Sequence, residues 1–225
     1  AQRYDKTTGK VIAIDMQSNK VLWSDNFTNQ IMSQPIVAGN ILVVAMGNNQ
    51  EVPPKYYNEN NAVIGINIEN GKVVWVDNMS SSAMTTPAYF MGNVIGITMM
   101  GEVYIINAST GKLLNASYLM LPDLLSSPLL VNGTVYAGIA AMNSSTGKVL
   151  WELNETKESK IVKVIRPQNV SGMLNFTENT LAPLVFWNGN VLSDSNFVGI
   201  LFEVNITTGR VVWAVNTGQC EGPPN

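Results

Sequence analysis

The sequence predicts an all-β chain built from repeated units of antiparallel strands. Two recurring elements support this prediction. In the first, a short apolar strand, a turn and a second strand occur five times along the 225 residues. In the second, a strand, a Gly turn and another strand precede each of the last four copies of the first. The turns carry Asn, Asp or Gly, which tolerate the backbone conformations that tight hairpins require.

Each copy of the first element contains a basic residue, then two aliphatic residues and, in four copies, Trp. Gly precedes the basic residue in the last four copies, and we expect Asn19 to take the same positive φ in the first. Asn115 stands where the other copies have Trp, so we expect one junction between neighbouring sheets to be filled differently. The five copies are Val11–Trp23, Val63–Trp75, Val103–Asn115, Ile139–Trp151 and Leu201–Trp213.

Together the two elements supply four antiparallel strands per repeat, which is one blade of a β-propeller. We predict a single propeller domain over residues 1–225 with about four and a half blades, because the first copy lacks its preceding hairpin. Two intervals between copies are long, which predicts insertions at 47–61 and 154–180. The half blade is predicted at 1–25 and the full blades at approximately 33–76, 85–117, 126–153 and 181–215.

The composition argues against several functions. Thirteen basic and 16 acidic residues give a net charge of −3, without the concentrated basic face that a nucleic-acid-binding protein needs. The longest apolar runs, such as Ile41–Met46 and Val94–Met100, are far shorter than the ~20 residues of a membrane helix. We therefore expect neither nucleic acid as a partner nor a membrane span. The single cysteine, Cys220, allows no disulfide within the chain.

Acceptor tripeptides for N-glycosylation, Asn-x-Ser/Thr, occur ten times, where chance predicts roughly four. The excess predicts a secreted or cell-surface glycoprotein whose N-linked glycans replace charge as the solubilising layer. Glycans do not titrate, so such a surface suits an acidic exterior. The alternative is that Asn and Thr only serve turns. The acceptors are Asn26, Asn78, Asn107, Asn115, Asn132, Asn143, Asn154, Asn169, Asn175 and Asn205.

The repeat resembles the pyrroloquinoline-quinone-type repeat of the quinoprotein-like β-propeller superfamily, including its archaeal-type and acidophile members. Ser144–Trp151 and Thr207–Trp213 are similar to its Thr-Gly-Lys-x-x-Trp pattern, and the resemblance covers nearly the whole chain. In that superfamily the repeat Trp packs between neighbouring blades. The resemblance therefore implies a blade-docking role for Trp23, Trp75, Trp151 and Trp213.

Propellers of this superfamily commonly close with eight blades. The resemblance implies a larger ring, completed by additional blades of a longer chain or by a protein partner, because an open ring exposes sheet edges. The first residues, Ala1-Gln2-Arg3-Tyr4-Asp5, include neither an initiator Met nor an apolar signal core, which also suggests a processed form or a fragment. Closure with five blades is the alternative.

No catalytic constellation is visible in the sequence, and whether the chain is an enzyme stays open. The absence of His excludes a Ser-His-Asp triad and a histidine metal site. Quinoprotein alcohol dehydrogenases carry an adjacent Cys pair against their cofactor, which is missing here, so we expect no bound quinone and no metal. A carboxylate general acid suits acidic chemistry, and the candidates are Glu51, Glu59 and Asp194.

Three hypotheses for function follow. The first is a secreted or cell-surface glycosylated propeller that acts as a binding or assembly module, with the insertion at 47–61 as its candidate binding face. The second is part of an extracellular enzyme, such as an acidophile tetrathionate hydrolase, which the Met46–Asn49 run resembles, or a degenerate quinoprotein dehydrogenase. The third is a periplasmic scaffold similar to the barrel-assembly lipoprotein, which the number of glycan acceptors disfavours.

Overall fold

The computed structural model describes residues 8–48, 60–119, 126–137, 140–153, 162–164, 184–195 and 200–216. These residues form nineteen strands and no helix, so the predicted all-β class is confirmed. The chain divides into two compact units, Ala1–Tyr118 and Leu119–Asn225. Each unit is built from separate antiparallel sheets, which are called blades below.

The first unit contains a two-stranded half blade and two four-stranded blades. In each full blade the strands lie side by side in chain order, as the repeat predicted. The half blade consists of β1 (Gly9–Asp15) and β2 (Lys20–Phe27). Blade 1 consists of β3 (Ile36–Ala38), β4 (Ile41–Met46), β5 (Ala62–Asn67) and β6 (Val73–Asn78). Blade 2 consists of β7 (Ala88–Phe90), β8 (Asn93–Ile97), β9 (Glu102–Asn107) and β10 (Leu113–Tyr118).

The second unit contains two further blades and one added strand. Blade 3 consists of β11 (Leu129–Val131), β12 (Thr134–Ala137), β13 (Ala140–Asn143) and β14 (Val149–Glu152). The added strand is β15 (Val162–Val164), from the second insertion. Blade 4 consists of β16 (Val185–Trp187), β17 (Asn190–Ser195), β18 (Ile200–Asn205) and β19 (Val211–Asn216). β15 pairs in parallel with β19 at the outer edge of blade 4, with Val164 opposite Asn216.

The core of the first unit lies between stacked sheets. Successive side chains of β4 point to opposite faces, as in any strand. Val43 therefore belongs to the cluster shared with blade 2, which contains Trp75 and Tyr104. Its neighbour Val44 belongs to the cluster shared with the half blade, which contains Val11. Middle strands buried on both faces explain the nearly continuous apolar runs in the sequence.

A β-bulge recurs at the start of the outer strand in every copy, including blade 2, where the register shifts between Leu113 and Asn115. In blade 1, Val73 pairs with Ile66 and Trp75 with Gly65, so Val74 has no partner across the ladder. The same shift occurs beside Trp23, Trp151 and Trp213. Such a bulge re-aims the side chains that follow it. It lets two consecutive aliphatic residues precede Trp without turning the indole away from the next sheet.

The turns behave as their residue types predict. Gly71 and Gly111 have φ values of 73° and 71°, and Asn19 takes φ 53° in the first copy, where Gly is absent. Asn is one of the few residues with a side chain that tolerates this left-handed conformation. The expectation for Asn19 is therefore confirmed.

Candidate binding face

Three of the four predicted docking tryptophans insert their indoles into the turn of the following blade. Trp23 Nε1 donates to the carbonyl oxygen of Ile68 at 2.9 Å, and Trp75 Nε1 donates to that of Ala108 at 2.9 Å. In the second unit Trp151 Nε1 donates to Ile206 O at 2.8 Å. The contact satisfies both the buried indole N–H and a turn carbonyl, which would otherwise lose their partners away from water.

Each of these three tryptophans pairs with a small residue on the neighbouring strand of its own sheet. Ala13, Gly65 and Ala141 are the cross-strand partners of the three docking tryptophans. In blade 2 the sizes of the paired residues are reversed, because Asn115 on the outer strand pairs with the larger, buried Ile105. In this pair the bulky residue therefore lies on β9 and not on the outer strand β10. Trp213 also departs from the pattern, since its Nε1 donates to the Glu203 carboxylate of its own blade.

The polar loops of the first unit gather where β2, β4, β6 and β8 end. We call this region, residues 28–34, 47–48, 60–61, 79–86 and 98–101, the polar end. Most of the buried polar side chains of the unit belong to it, and their hydrogen bonds tie loops to strands. Ser33 Oγ accepts from Ala45 N at 3.0 Å, and Thr85 Oγ1 donates to Ile97 O at 3.0 Å. The polar end is therefore fixed to the sheets below it.

Both stems of the first insertion are anchored in the polar end. On one side, Gly47 N donates to Gln30 O at 3.0 Å and Asn48 N donates to Ser82 Oγ at 2.9 Å. On the other side, Asn61 O accepts from Met79 N at 2.8 Å. The loops that hold the stems follow β2 and β6, so two neighbouring blades support the insertion. Candidates Glu51 and Glu59 lie outside the described residues.

A buried acidic group lies beside this end, between blades 1 and 2. Glu102 begins β9 and accepts hydrogen bonds from the Ser80 amide, at 3.3 Å, and from the Ser80 hydroxyl. Asp77 Oδ2 and the Tyr104 hydroxyl are buried without a hydrogen-bond partner among the described residues. The sequence did not predict this group, because nothing in the sequence distinguishes Asp77 from a solvent-facing residue of an outer strand.

Burial and the nearby negative charge of Glu102 both raise the pKa values of Asp77 and Tyr104. Burial, with a further contribution from the Glu102 charge, raises the pKa of Asp77 above its ordinary value of 3.8. The same two causes raise the pKa of the Tyr104 hydroxyl well above its usual range. The folded chain thus favours a neutral Asp77 carboxyl, which a low-dielectric interface between sheets tolerates better than a second negative charge.

We expect the Asp77→Asn variant to change how the stability of the chain depends on pH. Because the folded state raises the pKa of Asp77, its proton stabilises the fold below pH 3.8, and this stabilisation is lost as pH rises through the raised pKa. The introduced carboxamide stays neutral, so the variant should unfold later than the wild type toward neutral pH and show a flatter profile. Urea unfolding across this range measures the effect.

A matched control is Glu69→Gln, which removes an exposed carboxylate from a turn of the same unit. Its unfolding midpoints should follow the wild-type profile. If Asp77→Asn also follows it, the Asp77 carboxyl is solvated in the folded protein and the buried-group description is wrong.

Asp194, the third candidate, lies on β17 in the second unit. Its Oδ1 is buried without a hydrogen-bond partner among the described residues, and burial raises the pKa of its carboxyl despite an opposing backbone hydrogen bond. Such a carboxyl keeps its proton to a higher pH than an exposed aspartate does. The described residues contain no group of three or more Asp, Glu, Cys or His side chains that could hold a metal.

The predicted glycan acceptors divide by environment. Asn26, Asn78 and Asn132 are exposed. The half-buried residues Asn107, Asn143 and Asn205 form turns, and each Oδ1 accepts hydrogen bonds from the amides two and three residues later. Asn115 is half-buried within β10. Asn154, Asn169 and Asn175 lie outside the described residues.

No helix among the described residues is long and apolar enough to cross a membrane. Relatives of the chain agree with the fold. It is 22% identical to a tetrathionate hydrolase of Acidithiobacillus ferrooxidans over 92% of its own length and 44% of the relative. It superposes on the crystal structure of BamB from Moraxella catarrhalis with a TM-score of 0.68 and 17% identity, over 95% of the chain and 57% of that protein.

A quinohemoprotein alcohol dehydrogenase of Comamonas testosteroni superposes with a TM-score of 0.57 and 12% identity, over 84% of the chain and 35% of the enzyme. The chain thus spans about half the length, or less, of proteins that share its repeat. These similarities confirm the quinoprotein-like propeller that the sequence predicted. The family profile described as outer membrane protein assembly factor BamB matches residues 4–215, and the chain belongs to that family.

Proposed function

We propose that the chain is part of an extracytoplasmic, N-glycosylated β-propeller that acts as a binding or assembly module, with the first insertion as its binding face. The supporting observation is the double anchoring of that insertion at Gly47, Asn48 and Asn61 on loops of two neighbouring blades. A loop held at both stems presents its side chains on a rigid base, which lowers the entropy lost on binding. The family name, an assembly factor, supports the same function.

The exposed face of the half blade supports a larger assembly. Ile12 and Ile14 are 47% and 52% exposed, whereas Ile64 and Ile66, at the same repeat positions in blade 1, are 2% and 0% exposed. The half blade covers Ile64 and Ile66 in the same apolar cluster. We propose that a further blade covers Ile12 and Ile14, because exposed apolar sheet faces are rare in stable proteins. More of the same polypeptide or a protein partner can supply it.

The test replaces residues 50–58 with a short Gly-Ser linker in the full-length protein, which keeps both stems. After cross-linking in intact cells, mass spectrometry should find wild-type links from Lys55 to a partner protein. Because the linker removes Lys55 itself, the variants are compared by co-purification of that partner without cross-linking, and the linker variant should lose it. A control that replaces Gly92 and Asn93 in the β7–β8 turn with Asn-Gly should retain it. Equal partner recovery from the loop variant would contradict the assignment of the insertion as the binding face.

Tetrathionate hydrolysis is the second candidate function. It is favoured by the match to a tetrathionate hydrolase over 92% of the chain, and the raised pKa values of Asp77 and Asp194 suit acidic conditions. Full-length protein should then consume tetrathionate in acid, and Asp194→Asn should abolish the activity if this carboxyl is the general acid. No consumption at any acidic pH rules this candidate out.

A further inference from the structure

The outer strand of each blade is an edge that invites pairing with another strand. In the first unit, the outer edges of β2, β6 and β10 pair with no other described strand. Beside these edges Leu22, Val74 and Leu114 are 64%, 49% and 48% exposed. Long apolar edges template association between molecules, and proteins protect them with charge, bulges or a cover. The bulges protect only the start of these strands.

Glycan acceptors recur on these same strands. Asn26 on β2 and Asn78 on β6 both lie three residues after the repeat Trp, and both side chains are exposed. In blade 2, where Tyr118 takes that repeat position, the acceptor is Asn115, on the same outer strand. In the fourth copy Asn154 holds the position three residues after Trp, although it lies outside the described residues.

The fifth copy has no acceptor at this repeat position, and an added strand covers its outer edge. Asn216 holds the same repeat position on β19, but Gly218 stands where an acceptor needs Ser or Thr. This outer edge is the one that β15 covers, with Val164 paired to Asn216. At this repeat position the outer strand thus carries a glycan acceptor in some copies and is paired with an added strand in the fifth. The outer edges of β2, β6 and β19 thus carry either an exposed acceptor or an added strand. Asn115 on β10 is half-buried, and the acceptor of the fourth copy follows β14.

The turn acceptors do not belong to this pattern. Asn107, Asn143 and Asn205 each use their carboxamide oxygen to hold a turn. In blades 2 and 4 this is the turn into which the preceding indole docks. Asn at this position also stabilises the turn of blade 1, where Asn67 begins no acceptor tripeptide. Turn chemistry therefore explains these three acceptors, whereas it does not explain those on the outer strands.

We propose that N-glycans on Asn26 and Asn78 cover the outer edges of β2 and β6 and prevent strand pairing between molecules. A glycan is bulky and solvated, and on an outer strand it occupies the space that an incoming strand needs. The proposal rests on the export and glycosylation proposed above. It predicts occupancy at Asn26 and Asn78 and none at Asn107, Asn143 or Asn205.

The experiment compares full-length protein from a glycosylating host with its Asn26→Gln/Asn78→Gln variant. Glycopeptide mass spectrometry should find glycans at Asn26 and Asn78 of the wild type. In light scattering coupled to size exclusion, the variant should shift to a larger polypeptide mass. The control Asn132→Asp removes an exposed acceptor from the β11–β12 turn and keeps a residue that tolerates φ 48° there, so its mass should not shift.

A rescue variant separates edge pairing from misfolding. Adding Ser24→Lys and Val76→Lys to the double variant places a charge on each exposed edge, and lysine is a common edge protector. The mass should return to the wild-type value. Unglycosylated Asn26 and Asn78 would overturn both the glycoprotein proposal and this one. Glycans at these residues, with an unchanged mass for the double variant, would overturn the edge-protection proposal alone.

Discussion

Trp75→Ala is expected to destabilise the first unit by about 3–5 kcal/mol, the usual cost of truncating a buried aromatic residue. The indole is 8% exposed and packs in the cluster between blades 1 and 2 with Val43, Val63 and Tyr104. Its removal leaves a cavity and also deprives Ala108 O of its donor. Urea unfolding followed by circular dichroism measures the loss, which should appear as a lower midpoint.

Two variants test the reason for this effect. Trp187→Ala removes an indole that is 67% exposed, and such surface substitutions usually change stability by about 0.5 kcal/mol or less. Trp75→Phe keeps most of the apolar area but not the N–H donor, so it should fall between the wild type and Trp75→Ala. Equal midpoints for Trp75→Ala and Trp187→Ala would show that the indole does not join the blades.

Gly111→Ala is expected to cost more than an ordinary turn substitution. A Cβ on Gly111 would lie 2.4 Å from Trp75 Cγ, and φ is 71°. The backbone strain of a left-handed residue costs about 1–2 kcal/mol, and displacing a packed ring adds about 1–3 kcal/mol. The variant should therefore approach Trp75→Ala in stability, although no buried atom is removed.

Gly92→Ala provides the control, because Gly92 has φ 83° and nothing lies within 4 Å of the added Cβ. It should lose only the part that comes from backbone strain. The difference between the two midpoints then measures the docking contact itself. A difference near zero would mean that the Trp75 indole shifts freely, contrary to its position in the core.

The sequence predicted the repeat well because the docking contact is encoded locally. Trp, the turn Asn and the turn Gly recur at fixed spacing, and each has a single physical role in the contact. The exchange at Asn115 could be seen as an irregularity, but its pairing with the bulky Ile105 required the cross-strand register. A one-residue bulge sets that register, and such bulges leave little trace in an apolar pattern.

Other features depend on contacts between distant segments and could not be predicted. The proximity of Asp77 to Glu102 arises because two blades stack, which places residues from different repeats face to face. The three-residue strand β15 is too short for any periodicity, and it pairs with β19 some 50 residues later. The hydrogen bonds of the polar end also join segments that are distant in the sequence. The sequence therefore predicted the insertion at 47–61 but not the network that anchors it.

The indole of one blade completes the turn of the next, and this has a consequence for local opening. The smallest segment that can open independently is not one blade, because opening the Asn107–Gly111 turn also releases the outer strand that carries Trp75. Amide protons in β6 and in that turn should therefore exchange with solvent at a common rate. Motion at one blade is thus transmitted to its neighbour in part through this ring.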